Sequence, residues 1–358
     1  MSIGATPTLY AWPGNIRRRD LFAIPLHVER ILPVVSSIQH ILRIPLRPGI
    51  ITPSYTASLA TVMANIHTPI PNLKLNDGNS IPMLGYGLGT AWYKSGDESK
   101  IDQNAIDSTK LAIKLGYTHI DGAEVYKTET EQGIAIKESG VPREKLFITT
   151  KVLPNIADIP AALETSLKKL QVSYVDLYLI HAPFFSESKA EHQAKWKQME
   201  EIKAQGLAKS IGVSNYLPEH LDWILETAQV PPAINQIEFH PYLQHVELLD
   251  YHKQKGIATQ AYGPLSAVTK GAGGPADDVL HALAKKYAVS PGEVSLRWCI
   301  DQDIVPITTS GKEQRLSDYL RAMTFKLTPR EIQDINQAGS QKHLRGFWTH
   351  KYDEKDTR

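Results

Sequence analysis

From residue 84 onward, short apolar runs that end in a polar residue recur along the chain. Between them lie longer stretches whose apolar positions return at helical spacing. The short runs predict strands at 84–88, 118–121, 146–151, 175–181, 210–213, 233–238, 257–262 and 304–307. The longer stretches predict helices at 101–115, 130–139, 159–170, 191–205, 218–227, 246–255, 276–287 with 292–301, and 313–323, plus one beyond the last strand at 329–338. Gly116 and Gly140 stand where the first two helices should stop. Ahead of the alternation, Leu73 to Leu75 and Ile81 to Met83 flank the turn residues Asn76-Asp77-Gly78-Asn79, which reads as a hairpin. Strand–helix alternation at this count predicts an α/β chain folded as a single (β/α)8 TIM barrel. The hairpin would lie at its N-terminus and the extra helix and tail at its C-terminus. Residues 271–275, rich in glycine, read as a mobile loop after the seventh strand.

Residues 1–62 break this pattern. Pro25, Pro33, Pro45 and Pro48 interrupt each apolar run, lysine is absent, and arginines (Arg17, Arg18, Arg19, Arg30, Arg43, Arg47) outnumber acids. The reading is an extension, either disordered or a targeting segment, followed by the barrel at 63–358. A targeting role would place the protein in mitochondria; otherwise a cytoplasmic location is expected. The net charge of +1 gives no field for nucleic acid or an anionic membrane, and no apolar run is long enough to span a bilayer. A single cysteine, Cys299, excludes an internal disulfide and a cysteine zinc cluster, and no metal site is expected. A monomer acting on a small molecule is the expectation.

In such a barrel the loops after the strands build the active site, so the polar residues at strand ends matter most. Asp121 follows the second strand, Lys151 the third and His181 the fourth, with Tyr126 five positions beyond Asp121. A free phenol is a poor acid at neutral pH, and a neighbouring ammonium favours the phenolate. Lys151 is a candidate for that charge, Asp121 for its partner, and His181 for a hydrogen bond to a substrate carbonyl. These groups move a proton but carry no electrons, so a hydride donor is implied. No G-x-G-x-x-G fingerprint lies between a strand and a helix. Ser214, Asn215 and Gln236 instead offer groups suited to a nicotinamide carboxamide, and Tyr262 a flat face for the ring. Thr309, Ser310, Lys312 and Arg315 open the helix after the last strand, where hydroxyls, free N–H groups and cations suit a phosphate. Trp92, Phe184, Phe185 and Trp348 are candidates for the substrate wall.

The segments G-Y-G-L-G-T (85–90), H-I-D-G-A-E-V-Y (119–126), T-K-V (150–152), D-L-Y-L-I-H-A-P (176–183), I-G-V-S-N (211–215) and N-Q-I-E-F-H-P (235–241) together resemble the aldo-keto reductase superfamily. The resemblance implies a catalytic tetrad of Asp121, Tyr126, Lys151 and His181 with Tyr126 as proton donor. It also implies NADPH (NADP+) bound in extended form, with NADH possible, and adds Leu265 and Ser266 near the pyrophosphate. The run P-I-T-T-S-G-K-E-Q-R is similar to fungal ketoreductases acting on conjugated polyketones, α-keto amides and related dicarbonyls. Three positions depart from the common pattern. Gly122 replaces a threonine. Thr309 replaces a lysine near the 2′-phosphate. Ala182 replaces a tryptophan after His181, which should open the pocket. The expected activity is reduction of an aldehyde or activated ketone. The alternatives are oxidation of an alcohol or sugar in reverse, or a low-turnover NADPH-binding regulatory subunit.

Overall fold

The computed structural model describes residues 68–353 and Asp356. The expectations for residues 1–62 lie outside the described residues. The chain opens with the predicted hairpin: β1 (Asn72–Lys74) pairs antiparallel with β2 (Ser80–Pro82), Leu73 opposite Ile81. Eight strands follow: β3 (Gly85–Gly87), β4 (His119–Asp121), β5 (Phe147–Val152), β6 (Val175–Ile180), β7 (Ala208–Ser214), β8 (Ile234–Glu238), β9 (Ala258–Tyr262) and β10 (Ile304–Thr308). All pair in parallel, and β10 returns to β3 to close the barrel.

The helices between them are α1 (Gln103–Leu115), α2 (Glu129–Glu138), α3 (Ile159–Leu170), α4 (Lys189–Ala204), α5 (Pro218–Leu225) and α6 (Val246–Lys255). Two, α7 (Asp277–Tyr287) and α8 (Pro291–Ile300), separate β9 from β10. Then come α9 (Glu313–Leu320) and α10 (Pro329–Gly339). Their starts follow local chemistry. Asp102 caps α1 by accepting from the amides of Asn104 and Ala105. Ser290–Glu293 and Thr328–Glu331 form reciprocal capping boxes ahead of prolines at α8 and α10. Gly116 ends α1 at φ 106°, a conformation open to glycine. Predicted and observed boundaries differ by a residue or two, except that the helix expected at 313–323 stops at Leu320 and finishes as a 3-10 turn, Arg321–Met323.

Strand alternation sorts the side chains. Tyr86, Ile120, Ile148, Tyr178, Ile180, Ile211 and Val213 face outward into the core shared with the helices. The inward positions form a smaller core at the N-terminal end, where Phe147, Leu177, Leu179, Ile234 and Val305 meet Leu75 and Ile81 of the hairpin turned against them. The hairpin therefore plugs the bottom of the barrel. Farther along the same inward columns the side chains become polar: His119 then Asp121, Thr149 then Lys151, Gln236 then Glu238, Gln260 then Tyr262. Loop 271–275, expected to be mobile, is tied at several points: Gly271 N–H donates to Ser266 O (2.8 Å) and Gly273 N–H to Asp277 Oδ2 (2.7 Å).

Candidate active site

Asp121 ends β4, and Lys151 lies on β5 two residues beyond Thr149, the residue opposite Asp121, so both project inward at the same mouth. Lys151 Nζ donates to Asp121 Oδ1 at 2.6 Å and to the Gly122 carbonyl at 2.8 Å, and lies 3.4 Å from the Tyr126 hydroxyl. A fully buried lysine keeps its proton only with such partners. Tyr126 closes a single 3-10 turn, Glu124–Tyr126, which lays the phenol across Lys151. His181 follows β6 directly. Its Nε2 is 3.4 Å from the Tyr126 hydroxyl, with the rings edge to face at 5.5 Å. Gly89 leaves room for that ring: a Cβ there would lie 2.9 Å from Tyr126 Cζ. Lys151 and His181 thus meet at the Tyr126 hydroxyl, and Asp121 is joined to it through Lys151.

Burial pushes the Tyr126 phenol above its ordinary value, while the Lys151 ammonium pulls it down. Lys151 acts in the expected direction, but in a water-poor site the desolvation of the phenolate outweighs one nearby cation. For Lys151 burial works against the charge, but Asp121 and Tyr126 more than offset it, so the amine is held above its usual range. His181 is held well below its usual range by burial and by Lys151, so its imidazole is neutral. Its Nδ1 has no hydrogen-bond partner among the described residues.

The carboxamide-binding candidates lie beside the tetrad and brace one another. Ser214 Oγ donates to Gln236 O (2.8 Å), Asn215 Nδ2 to His181 O (2.9 Å), and the Tyr262 hydroxyl to Asn215 Oδ1 (2.6 Å). Asn215 holds φ 62°, a strained backbone for a residue with a Cβ, at the point where the chain leaves β7. Gln236 does more than expected: its Nε2 donates to Asp121 Oδ2 at 2.9 Å, joining this group to the tetrad. Leu265 and Ser266 lie just past Tyr262, where Ser266 begins a 3-10 turn. Across the mouth, Ser310 Oγ accepts from the Lys312 amide (3.0 Å), and Lys312 and Arg315 stand exposed at the start of α9. Thr309 lies beside the Tyr86 hydroxyl, and the buried Thr308 hydroxyl has no partner among the described residues.

A cleft of about 440 Å³ opens over Tyr126, His181 and Tyr262, walled by Tyr93, Val125, Leu153, Phe347 and Trp348. Three expected wall residues are elsewhere. The Trp92 indole donates to the Tyr86 hydroxyl (2.8 Å) and packs by Gly311, leaving its neighbour Tyr93 on the cleft. Phe184 stands behind Trp348, ring centroids 5.1 Å apart, and supports the wall without forming it. Phe185 turns away to stack near His192. Ala182 is fully buried, so its small size does not open the cleft. Phe347 and Glu238 were not foreseen. The buried Glu238 carboxylate accepts the amides of Gly346 (2.7 Å) and Phe347 (3.1 Å), pinning the tail that carries the wall. The only advance signal was Glu238's place in the inward column of β8.

The donors present suit a dinucleotide. An aromatic face (Tyr262) and an amide (Gln236) lie at the tetrad, and two exposed cations stand at the start of α9.

Comparison with known proteins gives the family. The model of the Aldo/keto reductase family matches residues 86–340. The chain is 42% identical over 276 residues to an NAD/NADP-dependent indole-3-acetaldehyde reductase of Schizosaccharomyces pombe, covering 76% of this chain and 97% of that protein. It is 38% identical over 293 residues to an NADPH-dependent alpha-keto amide reductase of Saccharomyces cerevisiae, covering 78% and 94%. Among solved structures, a Bombyx mori aldo-keto reductase in complex with NADP superposes with a TM-score of 0.69 at 36% identity, covering 76% of this chain and 93% of that one. This chain belongs to the aldo/keto reductase family of oxidoreductases.

Proposed function

We propose that this enzyme reduces an aldehyde or an activated ketone to the alcohol with NADPH, and that Tyr126 delivers the proton. The observation that carries the reading is the Tyr126 hydroxyl, which lies 3.4 Å from both Lys151 Nζ and His181 Nε2 at the floor of the cleft. A carbonyl oxygen placed there accepts from the Tyr126 hydroxyl and from a neutral His181 imidazole carrying its proton on Nε2. A bound dihydronicotinamide supplies the hydride to the carbonyl carbon. As charge gathers on oxygen, Tyr126 gives up its proton and the alcohol forms. The phenolate left behind faces the Lys151 ammonium, whose charge Asp121 sustains. The raised pKa of Tyr126 suits this direction, since the phenol stays protonated across neutral pH. General acid work of this kind typically contributes ~10²–10⁴-fold.

Ser214, Asn215, Gln236 and Tyr262 would hold the nicotinamide end. Leu265, Ser266, Thr309, Ser310, Lys312 and Arg315 would hold the phosphates. The two cations at α9 favour NADPH over NADH, because the 2′-phosphate adds charge where they stand. The aromatic wall of Tyr93, Phe347 and Trp348 suits flat or apolar carbonyls. The relatives act in the same range, being named for indole-3-acetaldehyde, alpha-keto amide and glyoxal. The test is a steady-state screen of methylglyoxal, isatin and an α-keto amide against NADPH and NADH. Turnover is expected with NADPH and should collapse in Tyr126→Phe while NADPH binding persists. A Tyr126→Phe enzyme that works at the native rate sinks the assignment.

A further inference from the structure

Below the tetrad, the barrel axis holds a continuous file of fully buried amide and imidazole groups. Gln236 Nε2, which donates to Asp121 Oδ2, also donates to Gln260 Oε1 at 2.8 Å. Gln260 Nε2 lies 3.2 Å from His119 Nε2, and His119 Nδ1 lies 3.2 Å from the Pro82 carbonyl at the hairpin. Gly85 makes space for the imidazole, since a Cβ there would lie 2.9 Å from His119 Nδ1.

The direction of every bond in this file is set from its two ends. The Asp121 carboxylate only accepts, so Gln236 must turn its nitrogen that way. The same nitrogen faces Gln260, so Gln260 must present its oxygen there and its own nitrogen to His119. His119 Nε2 must then be bare, with the ring proton on Nδ1. The Pro82 carbonyl, which also only accepts, requires a donor at that position. The two ends therefore demand the same arrangement. With both its N–H groups committed, Gln236 keeps one free function, the lone pairs of Oε1.

We propose that Gln260, backed by His119, is a positioning residue that locks the Gln236 amide in one orientation, so that Gln236 donates to Asp121 and presents only an acceptor to the nicotinamide carboxamide. Neither Gln260 nor His119 touches the reacting atoms. This rests on the cofactor reading above. Burial holds His119 down to about 4, so the ring stays neutral and the file keeps its polarity throughout the neutral range. Without Gln260 the second N–H of Gln236 loses its acceptor in a buried site, and nothing beyond Asp121 opposes rotation of the amide.

The experiment measures the NADPH dissociation constant by quenching of protein fluorescence, with no carbonyl present. The variants are Gln260→Met, Gln260→Glu, Gln236→Met and the Gln236→Met/Gln260→Met pair. Gln260→Met should weaken NADPH binding about tenfold. Gln260→Glu, which retains an acceptor facing Gln236 but sets its second oxygen against the bare Nε2 of His119, should weaken NADPH binding less than Gln260→Met does. In the Gln236→Met background, Gln260→Met should add less than about twofold, because the amide it orients is gone. Gln260→Asn, whose amide is one methylene too short to reach, replaces Gln260→Met if that variant does not accumulate. Native affinity in Gln260→Met, or an equal loss in both backgrounds, overturns the proposal, since a residue that only supports folding would act alike in both. A native chain that takes up no NADPH overturns the cofactor reading instead.

Discussion

The floor and the wall of the cleft meet within a few ångströms, yet they are held in different ways. The floor rests on side chains from consecutive inward columns of a closed sheet, with Tyr126 laid across them by one 3-10 turn. Asp121, Lys151 and His181 are buried, and each is placed by strand register. The part of the wall that carries Phe347 and Trp348 is residues 344–353, which follow α10 without regular secondary structure and are tied by the Glu238 carboxylate and by scattered single bonds such as Leu344 N–H to Tyr242 O (3.1 Å). Secondary contacts help: Lys270 lies 4.3 Å over the Phe347 ring, and Trp348 takes a left-handed backbone, φ 56°. The floor is set by strand register and the tail side of the wall by side chains reaching into a loop. Chemistry shared across a family suits the first arrangement, and a substrate preference that varies from one chain to the next suits the second.

If that contrast holds, damage to the floor should be severe and reach stability as well as rate. Lys151→Met leaves the buried Asp121 carboxylate without its cation. The expected outcome is a loss of ~10²–10⁴ in kcat together with ~3–5 kcal/mol of folding stability. Adding Asp121→Asn should restore most of the stability and none of the rate. Urea melts and single-turnover NADPH oxidation separate the two; a double variant that regains activity would show that the ion pair serves folding alone.

Acid tests the floor in another way. His119 and His252 are pushed down to about 4, and burial is the leading cause for both. A histidine whose folded value is depressed stabilises fully above its unfolded value, near 6.5, and that contribution is lost as pH falls toward 4. His119 alone accounts for up to ~3 kcal/mol across this window. Melting temperatures should therefore hold from pH 8 to about pH 6.5 and fall steadily below it. A flat profile down to pH 4 would mean that these rings are already charged in the folded chain.

How much of this was legible beforehand follows the same division. Strand alternation carried the floor: once 118–121 and 146–151 were read as strands, Asp121 and Lys151 had to share a face, and the last polar residue of each run marked the mouth. The same alternation would have exposed Gln260 and His119, each two residues before a named site residue on its own strand. They were passed over because they lie below the mouth. Loops carry no such period. Trp92 and Tyr93 are adjacent, and only the backbone turn after β3 decides which faces the cleft. Phe184 and Trp348 lie on segments far apart in the chain, so which stands in front could not be read from either. The Glu238 clamp joins a side chain to backbone amides 108 and 109 residues away, and a backbone amide has no sequence signature.

The wall should answer to Glu238. Glu238→Gln keeps the shape but replaces one accepting oxygen with a donor, which then opposes the amide of Gly346 or Phe347. The cost is ~1–3 kcal/mol, confined to the tail. Trypsin should cut at Arg345 or Lys351 several-fold faster, and KM for an aromatic ketone should rise about tenfold while kcat moves less than about threefold. Equal falls in kcat and kcat/KM would place Glu238 in the chemistry and erase the distinction between floor and wall.

The smallest effect belongs to Trp348→Ala, and it is the most discriminating. The indole lies edge-on to His181 at 6.3 Å and tilted against Phe184 at 5.1 Å, so its removal enlarges the cleft without touching a tetrad hydrogen bond. An aromatic carbonyl loses a packing partner worth ~0.5–1.5 kcal/mol, so its KM should rise about three- to tenfold. Methylglyoxal, too small to reach the indole, should keep its kcat/KM within about twofold. The ratio of the two specificity constants cancels errors in active-site concentration and isolates the wall. A drop of the same size for both carbonyls would mean that Trp348 orients His181, and the wall would then be part of the floor.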